Sequence, residues 1–466
     1  MKMSNKIYSL QRMPTEAFKI FAMSLPHGPN YGNAELLSAW SNEKGLGYGA
    51  VLQYSKNSYG LVVLRRREDY VLVPLEHEMC FTEQEALVHL DKHLSAGGDL
   101  LPIPSGQSRR ARLDHVGERN VCQAFIQLSS TIKYRGAFHL IVELYLALPK
   151  PDDNFRTDLQ TQGFNSRIWE LYLFACFKEQ GIKVFQDYPS PDFMLMNGNN
   201  KAYVEAVTAN PTGPGSLKLP QTQFPPGDRL ARTAGDMAAR FAKTIRSKLQ
   251  RKYEELPHVK GFPFAIAIAD FSGGGTMVWS RESLPTYLYG QTAHTVKTSK
   301  GMKAAALSIE KLLGHVNIPA GLFNHPEIEN LSAILFSNAG TLPKFQRMAI
   351  QAEFSSPIVK ARRVGILFDR TEEALEPIDF DLDIQSPEYI NLCDGKEFWC
   401  FELEVFHNPN AAYPMSHDFL PGATHWFEHN GEIICETQWK NQVLASVTEF
   451  SIVPDVADKL KAKEKP

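Results

Sequence analysis

The order of apolar and polar positions divides the chain into elements before individual residue types are weighed. Alternating or β-branched runs at 48–54, 59–66 and 70–75, separated by Lys56-Asn57-Ser58 and Glu68-Asp69, predict an antiparallel meander. A helix follows at 82–94, with Thr82 as its cap and Glu85 three residues on, the spacing of a capping box. After a Gly/Pro/Ser-rich stretch at 96–119, positions 121–148 repeat with a helical period until Pro149 and Pro151 break it.

The next segment differs. Positions 168–177 are apolar nearly all round a helix, which places that helix inside protein, with Ser166 to cap it and Gly181 to end it. Short strands are expected at 182–185, 193–196 and 202–208, the last two joined through the turn signal Asn197-Gly198. A Pro/Gly-rich loop at 211–227, a long helix at 228–256 and an apolar strand at 263–271 come next. Beyond the glycines at 273–275, a helix at 304–313 and strands at 331–337, 364–368 and 398–406 are expected, then a charged tail at 459–466.

Three acids interrupt the pattern of the middle segment. Glu170 sits inside the apolar helix, where an ionised carboxylate needs a partner or a metal. Asp192 opens the first strand of the hairpin, and Glu205 lies within the otherwise apolar second strand. A carboxylate pair on neighbouring strands with a third on the preceding helix can hold Mg²⁺, which takes oxygen ligands and activates water against a phosphodiester. Each acid also has a plainer reading, as an ion-paired core residue (Arg167 or Arg246 being partners for Glu170) or as a turn residue.

In this order, helix Glu170, then Pro191-Asp192, then Glu205, the stretch 160–272 resembles the PD-(D/E)xK nuclease superfamily. The resemblance implies a restriction-endonuclease-like αβββαβ core within an α/β (α+β overall) chain. The expected organisation is an N-terminal α+β domain with a small antiparallel sheet (1–100), a basic linker and helical segment (101–160), the core (161–272), and a C-terminal α+β region (273–466) that extends the core sheet or stands apart. It further implies Mg²⁺ or Mn²⁺ held by Glu170, Asp192 and Glu205, nuclease activity on DNA ahead of RNA in bacterial defence or repair, and a homodimer or partner protein. The family's lysine falls two residues after the strand acid, where this chain has Val207. Lys201, on the same strand face as Glu205, and Lys248, on the following helix, are the substitutes. If neither reaches the acids, the alternative is an inert core serving as a nucleic-acid-binding or assembly module.

Charge adds a little to this picture. The net charge of −3 gives no global attraction to nucleic acid, so backbone contacts would come from local cations, with Arg109, Arg110 and Arg112 in the linker and Lys243 and Arg246 on the long helix as candidates. Arg65, Arg66 and Arg67 read as a solvated strand edge. Six cysteines without a CxxC pair, no apolar run of membrane-spanning length and no apolar core near the N-terminus lead to the expectation of a reduced, cytoplasmic protein. His407, His417, His425 and His429 crowd the C-terminal part, but their spacings match no standard zinc pattern. They read first as hydrogen-bonding residues, with a hydrolytic site there as a third option. No Walker-type loop, dinucleotide fingerprint or nucleophile elbow is present.

Overall fold

The structure is a computed structural model that describes residues 10–95, 99–114, 120–209, 231–271, 280–298, 301–371, 374 and 376–453. The loop expected at 211–227, the glycines at 273–275 and the tail at 459–466 lie outside the described residues. The chain is mixed α/β, with several sheets.

At the N-terminal end, β1 (Leu10–Met13), α1 (Thr15–Phe21), β2 (Glu35–Asn42), β3 (Gly47–Ser55), β4 (Ser58–Arg66), β5 (Leu72–Cys80) and α2 (Glu83–Ser95) form one unit. The five strands run in sequence order as an antiparallel sheet, with short turns joining β2 through β5 and helix α1 lying between β1 and β2. Their alternation feeds two cores. Ala50, Leu52, Val62 and Leu64 pack on Phe18 and Phe21 of α1, while Val51, Leu61 and Val63 pack on Leu90 and Leu94 of α2. Thr82 accepts from the Glu85 N–H at 3.1 Å, as a cap should.

The arginine run departs from expectation. Arg65, Arg66 and Arg67 are all buried rather than at a solvated edge. Arg66 donates to Glu143 at 2.7 Å, and Arg67 clamps Asp69 at 3.0 and 2.6 Å. A guanidinium forked onto a carboxylate can be taken out of water, which a run of three letters does not reveal.

Helices α3 (Gln123–Ser130), α4 (Arg135–Ala147), α5 (Phe155–Gln160) and α6 (Phe164–Glu179) lead into β6 (Lys183–Phe185), β7 (Phe193–Asn197) and β8 (Asn200–Ala209). The helix expected at 121–148 is two, because Thr131 is extended at φ −100°, ψ 137°. Then come α7 (Met237–Leu249), β9 (Phe264–Asp270), α8 (Ser283–Tyr289), a hairpin of β10 (Gln291–Thr298) and β11 (Gly301–Ser308), and the short pair β12 (Lys311–Leu312) and β13 (His315–Pro319). The helix expected at 304–313 is therefore strand. Its alanines favour helix, but pairing with β10 supplies the backbone partners and overrides propensity. The chain closes with β14 (Ala333–Phe336), α9 (Leu342–Gln351), β15 (Val359–Leu367), β16 (Ile378–Asp383), α10 (Pro387–Leu392), β17 (Glu404–His407), β18 (Thr424–His429), β19 (Glu432–Glu436) and β20 (Val443–Ile452).

The organising layer is an eight-stranded sheet in the order β19-β18-β17-β14-β9-β8-β7-β6. β6, β7 and β8 are an antiparallel meander, and β9 lies parallel to β8 after α7. β14 adds parallel to β9 and β17 antiparallel to β14, so strands from beyond 272 belong to the same sheet. Helix α6 covers one face. Ile168, Trp169, Leu171, Tyr172 and Phe174 are all buried there, and the Trp169 indole donates to the Ala267 carbonyl at 3.1 Å. Helices α7 and α8 cover the other face through Phe241, Ile245, Leu284 and Leu288. Gly181 ends α6 region with φ +82°, where a Cβ would also meet Asn30 at 2.8 Å. Among the described residues no helix is long and apolar enough to cross a membrane.

Candidate functional site

The register of β7 and β8 pairs Phe193 with Val204, so Asp192, one residue before β7, falls across from Glu205. The Ala206 N–H donates to Asp192 Oδ2 at 2.7 Å and fixes the junction. Strand alternation turns Glu205 with Tyr203 and Val207 toward the α7 face. There Glu205 Oε1 receives the Lys248 ammonium at 2.6 Å and the Tyr253 hydroxyl at 2.7 Å. Its other oxygen, Oε2, is buried and has no hydrogen-bond partner.

Glu170 approaches from α6, which begins at Phe164 rather than at a Ser166 cap. Ser166 sits in the first turn and its hydroxyl meets Thr208 Oγ1 at 2.8 Å, tying the helix to the end of β8. One turn on, Glu170 receives Arg167 at 2.8 Å and the Gln186 amide at 3.2 Å. Arg167 is shared with Asp158 at 2.6 Å and also with Asp152.

The three acids share one electrostatic neighbourhood. Asp192 is partly exposed at its edge, but its carboxyl is packed round by protein. Burial first, then the charges of Glu205 and Glu170, push it well above the usual carboxylate range, against the Ala206 N–H and Lys248. Burial likewise raises Glu170, with Arg167 opposing. A buried carboxylate oxygen without a partner costs on the order of 1–3 kcal/mol. An orphaned Glu205 oxygen thus lies near an Asp192 carboxyl that resists ionisation.

Among the described residues no three His, Cys, Asp or Glu side chains form a group that could hold a metal ion. Of the three acids, Asp192 and Glu205 face each other across the β7–β8 pairing. Glu170 is engaged by Arg167 and Gln186 and stands behind that pair.

Of the two lysines, Lys248 is at the acids and Lys201 is not. The Lys201 ammonium lies over the rings of Tyr203 and Phe262, 5.1 and 4.7 Å from their centroids. The α7 helix that carries Lys248 is shorter than expected at 228–256: Gly235 is non-helical before it and Lys252, at φ 52°, follows its end. The remaining cations are dispersed. Arg109 binds Glu68 at 3.2 Å, Arg110 donates to the Leu148 carbonyl at 2.9 Å, and Arg112 pairs with Asp114. Lys243 is exposed on α7, and Arg246 donates to the Tyr287 hydroxyl at 3.3 Å. Gln186 and Tyr253 escaped the sequence reading, since each reaches an acid from a loop or short turn with no periodic signal.

His407, His417 and His425 come together, and among the described residues they form no group that could hold a metal. His425 Nε2 faces the Leu420 carbonyl at 3.1 Å and so carries hydrogen, leaving its Nδ1 to accept from His407 Nε2 at 2.8 Å. His417 stacks on both rings and meets Glu436 at 2.8 Å. Burial pulls His407 down to about 3 and His425 to about 4. His429 is exposed at the end of β18. The six cysteines are free thiols. No family model, curated protein or solved structure matches this chain.

Proposed function

We propose that this protein is a metal-dependent nuclease that hydrolyses phosphodiester bonds in DNA or RNA, with a restriction-endonuclease-like core. The observation that carries the reading is the Asp192–Glu205 pair: a carboxyl group just before β7 that resists ionisation, facing a carboxylate on β8 whose Oε2 has no partner while its Oε1 receives the Lys248 ammonium at 2.6 Å. The element order supports it, since helix α6, the meander β6–β7–β8, helix α7 and the parallel strand β9 follow the αβββαβ sequence of the family the residues resemble.

Asp192 and Glu205 would hold Mg²⁺ or Mn²⁺, which when bound lowers the pKa of a water and neutralises charge on the phosphate. Lys248 occupies the role of the lysine missing at Val207, donating to the attacking water and to a phosphoryl oxygen. Tyr253 fixes the Glu205 carboxylate, and the Arg167–Glu170–Gln186 cluster braces the α6 side. The second reading, an inert module, is favoured by the same Lys248–Glu205 contact, because a partly buried ion pair also stabilises a core that binds no metal.

The test is incubation of the purified protein with plasmid, linear duplex and single-stranded substrates in Mg²⁺ or Mn²⁺, beside Glu205→Ala and Asp192→Asn. The nuclease reading expects cleavage that is lost with EDTA and in both variants. Absence of cleavage on every substrate favours the inert module, and cleavage that survives both variants places the chemistry elsewhere.

A further inference from the structure

An exposed aromatic surface adjoins the acids. Tyr188, in the loop between β6 and β7, stacks on His258 with centroids 3.7 Å apart and planes within 3°. The His258 ring is fixed by Ser190, whose carbonyl accepts from its Nε2 at 2.9 Å, two residues before Asp192. His258 also meets the edge of Tyr203, and Tyr203 meets Phe262. Tyr203 lies two residues before Glu205 on the same strand face and is buried, while Tyr188 and Phe262 are 43% and 38% exposed. The rings thus run outward from the carboxylate pair to solvent.

Cations accompany the rings. Lys201 rests over Phe262 and Tyr203, and among the described residues no carboxylate pairs with it. Arg251, exposed, donates to Tyr253 and lies within the field of Glu205 and Asp192. Lys260 is exposed on the same connection between α7 and β9.

We propose that this surface binds the bases of single-stranded nucleic acid, stacking them on Tyr188 and Phe262 while Lys201 and Arg251 meet the phosphates. A duplex offers its phosphates but keeps its base faces stacked internally, so rings projecting to solvent serve only a strand whose bases are free. The chain's net charge of −3 gives no global attraction to the backbones of a duplex. Stacking on every base face needs no sequence readout, so the surface tolerates any sequence. The inference names the substrate class for the nuclease reading above, and rests on that reading for its chemistry but not for its binding.

The experiment is fluorescence anisotropy on the full chain in EDTA, with labelled oligothymidylate, oligouridylate and a blunt duplex of equal length. The expected result is tighter binding of a single strand than of the duplex, with the two single strands telling DNA from RNA. Tyr188→Ala and Phe262→Ala should each weaken it about tenfold, as loss of one base–aromatic stack does, and Tyr188→Phe should retain it. If Phe262→Ala unfolds the chain, Tyr188→Ala, on an exposed loop, decides alone. Equal or tighter duplex binding, no binding, or alanine variants that bind like the parent overturn the proposal. Ring-dependent binding without any cleavage in metal overturns the nuclease reading and leaves this one. Glu205-dependent cleavage of single strands that ignores both rings does the reverse.

Discussion

Lys248 and Glu205 come from different elements, 43 residues apart, and their 2.6 Å contact decides which lysine matters. Both lysines were visible as candidates, but only the fold distinguishes them: Lys201 shares the strand face of Glu205 and still turns to two aromatic rings. Lys248→Met should therefore lower cleavage by about 10²–10³-fold, the usual effect of removing one group aimed at developing charge. Lys201→Met should leave turnover of saturating substrate near the parent value, and assays on one substrate preparation separate the two. Glu170 makes a different case. Its plain reading, an ion pair with Arg167, is the contact it makes in the fold. Arg167→Met leaves Glu170 buried and uncompensated, at a cost of about 3–5 kcal/mol. Urea unfolding should show that loss, and the double variant Arg167→Met/Glu170→Gln should recover much of it.

Elements with one dominant period were legible, and elements whose identity depends on a distant partner were not. The all-apolar α6, the β7–β8 hairpin and the meander β3–β4–β5 needed only local pattern. β11 became strand because β10 lies beside it, and the histidines of β17 and β18 became a buried pair because those strands are parallel neighbours. That pairing has a pH consequence. Burial holds His407 and His425 below their ordinary value near 6.5, to about 3 and about 4. Both are neutral in the folded chain and protonate on unfolding below pH 6.5. Their contribution is present above 6.5 and is lost as pH falls toward 4. Two protons taken up on unfolding correspond to a slope of roughly 2–3 kcal/mol per pH unit at its steepest. Urea denaturation at steps between pH 7 and 5 should show this slope, and His407→Gln/His425→Gln should flatten it. An unchanged slope in the double variant would assign the acid sensitivity to other groups.

At the scale of the molecule, the sheet does not stop where the resemblance does. The sequence supports a boundary near 272, because glycines follow β9 there and the acids all precede it. Yet β9 is buried along its whole length, Phe264–Asp270, with β8 on one side and β14 on the other. Beyond β14 stands a buried charge cluster: Lys344 and Arg347 of α9 reach Glu397 at 2.7 and 2.8 Å, and Arg363 of β15 pairs with Glu402. Charges this deep stay in place only while every partner is present, so they bind the C-terminal elements to one another and to the sheet. A chain ended at residue 272 would expose both the unpaired edge of β9 and the apolar face of α6 that packs toward Trp399. An all-apolar open edge recruits other chains. The truncated protein should therefore aggregate on expression, while the full chain stays in solution with its acids in register. A soluble, cooperatively melting 1–272 fragment that still cleaves would show instead that the acid-bearing unit folds by itself and that β14 to β19 were added to a finished sheet.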